Sequence, residues 1–503
     1  MSSVSNGERA FGQPQGGCLY TQRGVVKRIE GSDGLKPDST RTLDRVFDPK
    51  SVAIIGASDN IMKMGHRCVL SLIETNFEGN IYPINSELES VLGLKAYPSL
   101  LDVPGDVDLA IIVVQAKYVP DALRECAQKN AAGAVIITAG FREIEDERGA
   151  SLQDEITRIA NDAGIKIIGP NTFGMVNIAS KLNASFTPIF NHIPSGGISM
   201  LGQSGGMCHL VGFQAIDERV GMNKLVGLGN RCNLGFVELL EYLENDPETR
   251  TIILYLEGIE EARAVMEAAR RVTVRKPIVG MKVGESDAAH AAVQSHTGSL
   301  AGSHGLYYAA FEQAGIVPAH DTVELLDIAK ALDTASPPAG NRVAVMSFQA
   351  GPGILLTDLC EGHGLRMAQL SPGTVASLKR LWPNLTIRTN PVDLAFVSDM
   401  NVVGEAARLV LDDENVDSIV VFYLDVMSFF TTAVSEQLVP LAKNGKPIIV
   451  CANFPVRLSS STTDEGLAHF HEHGIPVYPL PARAVKALKG LVRRGEIERR
   501  FRV

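Results

Sequence analysis

The chain of 503 residues has little of what several functional classes require. Its longest apolar runs, such as LAIIVV from Leu109 and SIVVFYL from Ser418, are strand-sized and fall far short of the ~18 residues of a membrane-spanning helix. No membrane span is expected, and a cytoplasmic location is the matching expectation. Lysines and arginines form no block, aromatic residues make up only 6%, and the formal net charge is −10. A basic surface with aromatic stacking platforms is therefore missing, and with it the case for a nucleic-acid partner. Seven cysteines (Cys18, Cys68, Cys126, Cys208, Cys232, Cys360, Cys451) never form a C-x-x-C pair, which argues for a reduced protein without structural zinc. No G-x-x-x-x-G-K-[ST] loop occurs either, so a P-loop is excluded. Residues 1–45 are rich in Gly, Ser and Gln and hold no apolar core segment. They read as a poorly ordered N-terminal extension rather than a secretory or transit peptide.

What is present is one module written three times. SVAIIGASDN from Ser51, GISMLGQSGGM from Gly197 and RVAVMSFQAGPG from Arg342 recur at intervals of roughly 145 residues. Each joins an apolar run to a small-residue turn and then a helical pattern, the start of a βαβ unit. Further apolar runs alternate with amphipathic stretches between these starts. The fold class expected is α/β, with three consecutive Rossmann/flavodoxin-like doubly wound parallel-sheet domains spanning 46–186, 187–335 and 336–503. The linkers TPIFNHIPSGG and DTASPPAGN set the two inner boundaries.

In the first domain GASDN follows its strand as a phosphate loop should, yet it departs from G-x-G-x-x-G: position 58 is Ser and position 61 is not Gly. PINSE, VVQAK and ITAGFRE also fall at strand ends, where an open α/β sheet presents its ligand crevice. The residues favour a nucleotide-containing cofactor and leave its type open.

Taken together, SVAIIGAS, PINSELESVLGLKAYPSL, ITAGFREI, GPNTFGMVN, LGQSGGM, YLEGIEEA, SHTGSLAGS, the Gly-Pro-Gly turn and NPVDL resemble the NDP-forming acyl-CoA synthetases. These are the ADP-forming acetyl-CoA synthetases and succinyl-CoA synthetase, in their CoA-binding α part. The resemblance runs in order over residues 46–503. It implies coenzyme A on Gly56, Ala57, Ser58, Asn85, Val114, Gln115, Thr138, Ala139, Gly140 and Asn171. It also implies that His296 carries phosphate during turnover, with Glu257 holding the ring's other N–H. Ser204, Gly205 and Gly206 are then the phosphate-binding turn at a helix N-terminus. A neutral imidazole suits this relay, because it is nucleophilic near neutral pH and its phosphoramidate keeps a high transfer potential. ATP/ADP with Mg is expected on a separate ATP-grasp β subunit, since the chain leaves no segment for that unit, and a hetero-oligomer follows. The substrate is a small carboxylic acid.

GNRCNLG, Thr172 after GPN and MSFQAGPG depart from the family pattern. They bear on acid specificity, with Arg231 as a candidate carboxylate contact, and His209 is a candidate for the wall of the acyl site. Glu260 and Glu261 read as helix N-terminal charges. His469 and His473 in HFHEH read as a solvated helix face rather than a zinc pair, and no metal site is expected. Two other classes stand beside the ligase: a non-catalytic CoA-binding regulatory or scaffold protein, and a nicotinamide-dependent oxidoreductase built on the first domain.

Overall fold

The structure is a computed structural model; it describes residues 37–501 apart from 145, 260, 287, 290–303, 384–388, 396, 398, 427–428 and 454–460. Three sheets follow one another along the chain, as the three repeated modules require. In the first, five parallel strands run in the spatial order Asn80–Ile84, Ser51–Ile55, Leu109–Ile112, Gly133–Ile136, Lys166–Ile168. Runs such as VAII and LAII are apolar without alternation because helices cover both faces, and Val52, Ile54, Leu109 and Ile111 are all fully buried.

The second sheet has the order Ile316–Pro318, Ile278–Lys282, Thr251–Leu256, Ser195–Gly202, Met222–Gly227, all parallel. An antiparallel hairpin, Gly174–Asn177 with Leu182–Ser185, then extends this sheet beyond Met222–Gly227. The third sheet orders Arg366–Met367, Arg342–Ser347, Ser418–Leu424, Ile448–Asn453 and Val477–Tyr478, with Val392–Asp393 pairing the end of Arg342–Ser347.

Side-chain caps start the helices where the sequence turns polar. Asp146, Ser204, Asp321 and Ser371 each accept a backbone N–H from the first turn of the helix they precede. The second and third sheets share one helical layer. Helix Thr322–Thr334 lies against helix Pro481–Phe501, and Ile328 and Leu488 join Ile253 of the second sheet and Val343 of the third in one buried cluster. Arg483 seals that layer, with Nε and Nη2 each 2.7 Å from an oxygen of the buried Asp327 and a further bond to Glu218. Beside it Lys330 donates to the Val477 carbonyl at 2.6 Å, and burial pulls its ammonium down to about 8.

Residues 37–45, placed by composition in the extension, differ from that expectation. They form most of helix Pro37–Phe47, whose Leu43, Val46 and Phe47 are buried. Phe47 stacks on Tyr242 of the second unit at 4.7 Å, and its carbonyl accepts Asn177 Nδ2 at 2.8 Å. Residues 1–36 lie outside the described part.

Candidate active site

In the first sheet Ser51–Ile55 lies between Asn80–Ile84 and Leu109–Ile112, so the winding reverses at the carboxyl ends of the two strands that start the crevice. Gly56 sits at that point with φ of +97°, and its N–H reaches the Ile84 carbonyl at 3.1 Å. The helix Met64–Glu74 comes so close that a Cβ on Gly65 would stand 2.0 Å from the Gly56 carbonyl oxygen. Asn85 then staples the turn: Nδ2 donates to the Ala57 carbonyl at 2.8 Å while Oδ1 accepts the Glu87 N–H at 2.8 Å. Ser58 is buried, accepts the Asn60 N–H through Oγ at 3.2 Å, and offers its carbonyl to His66 Nδ1 at 3.1 Å.

The remaining loops line up along the same edge. Thr138 Oγ1 donates to the Val114 carbonyl at 2.6 Å, and the Asn171 N–H donates to the Thr138 carbonyl at 3.0 Å. Gln115 precedes a short turn Ala116–Tyr118 without a side-chain capping bond, and Gly140 has φ of +107° with its N–H on the Glu143 carboxylate. Gly56–Ser58, Asn85, Val114–Gln115, Thr138–Gly140 and Asn171 thus all leave the carboxyl ends of one parallel sheet.

The second sheet repeats the geometry. Ser195–Gly202 lies between Met222–Gly227 and Thr251–Leu256, which puts the reversal at Gln203 and Glu257. Gln203 ties the two strand ends together. Its Oε1 accepts the N–H groups of Glu257 and Gly258 at 2.6 and 3.1 Å, and its Nε2 donates to the Gly258 carbonyl at 2.7 Å. Ser204 follows as the N-cap of helix Gly205–Asp217, and Gly205 and Gly206 form its first turn. The unfilled N–H groups of such a turn favour an anion. Glu257 is only 8% exposed.

A cleft of about 380 Å³ between the first two units has a wall that includes Asn171, Glu143, Asn230, Arg231, Gln203 and Glu257, while Gly56–Ser58, Asn85, Val114–Gln115, Thr138–Gly140 and Ser204–Gly206 lie off that wall. Asn171 Nδ2 meets Asn230 Oδ1 at 3.4 Å, and Asn230 Nδ2 donates to Glu143. Burial raises the Glu143 carboxyl, yet bonds from Asn230 and from the Gly140 and Phe141 N–H groups outweigh it and hold it below the usual range. Arg142 pairs with Asp154 at 2.7 Å. Arg231 has φ of +57° and stands 6.0 Å from the Phe236 ring centroid. Asn230 and Cys232 beside it are anchored on the Pro170 and Gly169 carbonyls at 2.9 and 3.2 Å.

His296 and the rest of SHTGSLAGS lie outside the described residues, as does Glu260. Along the chain the strand Ile278–Lys282, whose Lys282 pairs in register with Leu256, precedes those residues and the helix His304–Ala314 follows them. Glu261 stands at the N-terminus of helix Ala262–Thr273. His209 has both ring nitrogens engaged, Nδ1 on the Gly205 carbonyl and Nε2 on the Thr187 hydroxyl, each at 2.7 Å, inside a cage that includes Phe173 and Phe190. That is the environment of a packed side chain. His469 bonds Ser435 and His473 bonds the His469 carbonyl, and no cluster of three metal-ligating side chains occurs among the described residues. Thr172 donates to the Gly227 carbonyl at 2.6 Å, an anchor between units.

Sequence reading passed over Gln203 and Lys282. Each had a signal: a polar side chain directly after an apolar strand, and a lone charge at the end of one. No described helix is long and apolar enough to cross a membrane.

Known families match this geometry segment by segment. A CoA binding domain matches residues 50–178, a succinyl-CoA ligase like flavodoxin domain residues 195–332, and a ligase-CoA domain residues 343–494. The α subunit of ADP-forming acetate–CoA ligase II from Pyrococcus furiosus is 36% identical over 459 residues, covering 90% of this chain and 98% of that one. The ADP-forming acetate–CoA ligase I of Archaeoglobus fulgidus is 37% identical over 92% of this chain, which spans 65% of that longer protein. Among solved structures, the dinucleotide-forming acetyl-coenzyme A synthetase 1 of Ca. Korarchaeum cryptofilum, in complex with phosphate and ADP, superposes with a TM-score of 0.81 at 31% identity, over 91% of this chain and 97% of that one. The chain belongs to the family of ADP-forming acid–CoA ligases, in its α-subunit part.

Proposed function

We propose that the chain is the α-type subunit of a reversible ligase that joins a small carboxylic acid to coenzyme A. Coenzyme A lies along Gly56–Ser58, Asn85, Val114–Gln115, Thr138–Gly140 and Asn171. A separate ATP-grasp subunit, holding ATP with Mg, phosphorylates His296 and keeps ADP. The His296 phosphoryl passes to the substrate carboxylate, the N–P bond breaking as the acyl phosphate forms. The thiol sulfur of coenzyme A then attacks the acyl carbon, releasing phosphate and acyl-CoA. Glu257 holds the ring N–H not used for transfer, and the Ser204–Gly206 turn cradles the phosphoryl oxygens.

One observation carries this reading. Asn171, from the edge that would hold coenzyme A, and Gln203 and Glu257, from the edge that would hold phosphate, line one cleft, in which Asn171 meets Asn230. A thiol and an acyl phosphate brought to that shared wall would face the same space. The relatives named α subunit, matched over nearly their full length, support a separate partner.

The test is phosphorolysis by the purified chain. With acetyl-CoA the protein should release coenzyme A thiol only when inorganic phosphate is present. Bound coenzyme A with no phosphate-dependent release, across a panel of acyl-CoAs, would replace this reading with that of a non-catalytic CoA-binding protein.

A further inference from the structure

The loop that follows the strand Met222–Gly227 leaves the second sheet beside Gln203 and reaches into the first unit. At its start the Leu228 N–H donates to the Gly202 carbonyl at 2.9 Å. Gly229 then turns with φ of +54°, and a Cβ there would stand 2.2 Å from the Pro170 carbonyl oxygen. Only glycine permits that approach. Asn233 anchors the far end: its Oδ1 accepts the Ile167 N–H at 2.9 Å and its Nδ2 donates to the Ile165 carbonyl at 2.8 Å.

Between these anchors a single side chain of the second unit holds three segments of the first. Asn230 Nδ2 donates to one Glu143 oxygen and to Gln153 Oε1, the latter at 3.1 Å, while its Oδ1 accepts Asn171 Nδ2 at 3.4 Å. The other Glu143 oxygen accepts the Gly140 and Phe141 N–H groups, the latter at 3.1 Å. One carboxylate thus fixes both the turn at Gly140 and the loop of the neighbouring unit. Asn171 belongs to the same set, because its N–H donates to the Thr138 carbonyl at 3.0 Å. Bonds to an ionised carboxylate are shorter and stronger than neutral ones. With acceptors on its amide nitrogen and a donor on its oxygen, Asn230 has one orientation that satisfies all its neighbours.

We propose that Asn230 and Glu143 are positioning residues that tie the coenzyme A edge to the phosphate edge: their bond holds the Thr138–Gly140 turn and Asn171 in binding shape and links them to the strand end at Gly202. This rests on the reading of the two edges given above. Neither residue touches the reacting atoms. A ligand on either edge steadies the same loop, so breaking the link weakens the hold on both ligands together.

The test uses the full chain above neutral pH and compares wild type, Asn230→Asp, and Asn230→Asp combined with Glu143→Gln. The single variant sets two carboxylates against each other. The combined one restores a donor between them with its direction reversed, and keeps an oxygen for the Gly140 and Phe141 N–H groups. Calorimetry gives the Kd for coenzyme A, and phosphorolysis of acetyl-CoA gives the KM for inorganic phosphate. Asn230→Asp should raise each at least about fivefold, and the combined variant should bring each back to within about twofold of wild type. An unchanged Kd in Asn230→Asp, or a combined variant no better than the single one, overturns the proposal. So does a raised Kd with an unchanged KM for phosphate, because the link then stops at the first edge. Should Asn230→Asp not fold, Asn230→Ala carries the same two expectations, and wild-type values in it overturn the proposal. Wild type that binds no coenzyme A removes the functional reading and this inference with it. Wild type that binds coenzyme A and performs phosphorolysis, beside an Asn230→Asp variant that matches it, defeats the inference alone.

Discussion

The second and third units arrive at the same topological place and furnish it differently. In the second, Ser204 caps a helix, and the next strand over ends in Glu257, whose main chain is stapled by Gln203. In the third, Gln349 occupies the N-cap of helix Ala350–Gly362 without a side-chain cap bond, and the neighbouring strand ends in Asp425. There part of the polar set closes on its own unit, while Gln349 Oε1 and Asp425 Oδ1 are buried without a hydrogen-bond partner among the described residues. Ser347 Oγ donates to the Gln349 carbonyl at 2.6 Å, and one Asp425 oxygen takes the hydroxyls of Thr431 and Thr463 at 2.6 and 3.3 Å. The fold delivers a helix terminus and a carboxylate twice. What separates the two is whether the turn that bears the carboxylate is fixed through its backbone or the carboxylate itself is taken up by neighbouring hydroxyls.

The sharpest way to break this contrast is to remove each carboxylate. Glu257→Gln should slow phosphoryl labelling by roughly 10²-fold or more, whereas Asp425→Asn should leave it within about threefold and cost ~1 kcal/mol of stability. Equal losses would erase the distinction. Gln203→Ala comes next. It strands the buried N–H groups of Glu257 and Gly258, which should cost roughly 2–5 kcal/mol in urea unfolding and cut labelling about tenfold or more.

A third prediction is one of sameness. The helices that start at the two switch points bury Cys208 and Cys360, and burial raises both thiols, Cys360 to about 12. An unfolded thiol loses its proton near ~8.5, so each contributes stability that is complete below that pH and disappears as pH rises toward the folded value. Removing either as Ala should therefore flatten the fall of stability between pH 9 and 11 by ~1.4 kcal/mol per pH unit. Unlike slopes would mean that packing as well as chemistry distinguishes the units. Smallest of the expected effects, Ser204→Ala should cost about 1 kcal/mol of stability through the lost cap and weaken phosphate retention modestly.

How much of this was legible depended on how local each feature is. The apolar strands and small-residue turns were, because buried parallel strands need unbroken apolar runs and a close backbone approach needs Gly56 and Gly65. Helix Pro37–Phe47 carries the spacing Leu43, Val46, Phe47, yet its Ser- and Gly-rich surroundings masked that pattern. The hairpin Gly174–Asn177 with Leu182–Ser185 reads as strand in sequence, but its pairing with Met222–Gly227 is a long-range choice. Gln203 was illegible for the same reason: its bonds to the Glu257 and Gly258 backbone exist only after the strands Ser195–Gly202 and Thr251–Leu256 have paired. The histidine followed from its motif rather than from geometry.

The central claim is that phosphate handled at the second switch point resides on His296. The direct measurement is peptide mapping, under alkaline conditions that preserve phosphoramidates, of wild-type chain treated with acetyl-CoA and phosphate. A gain of about 80 Da, one phosphoryl group, on the peptide bearing His296 and absent from His296→Ala is the result expected. The same gain on another residue, or its persistence in His296→Ala, would contradict the account.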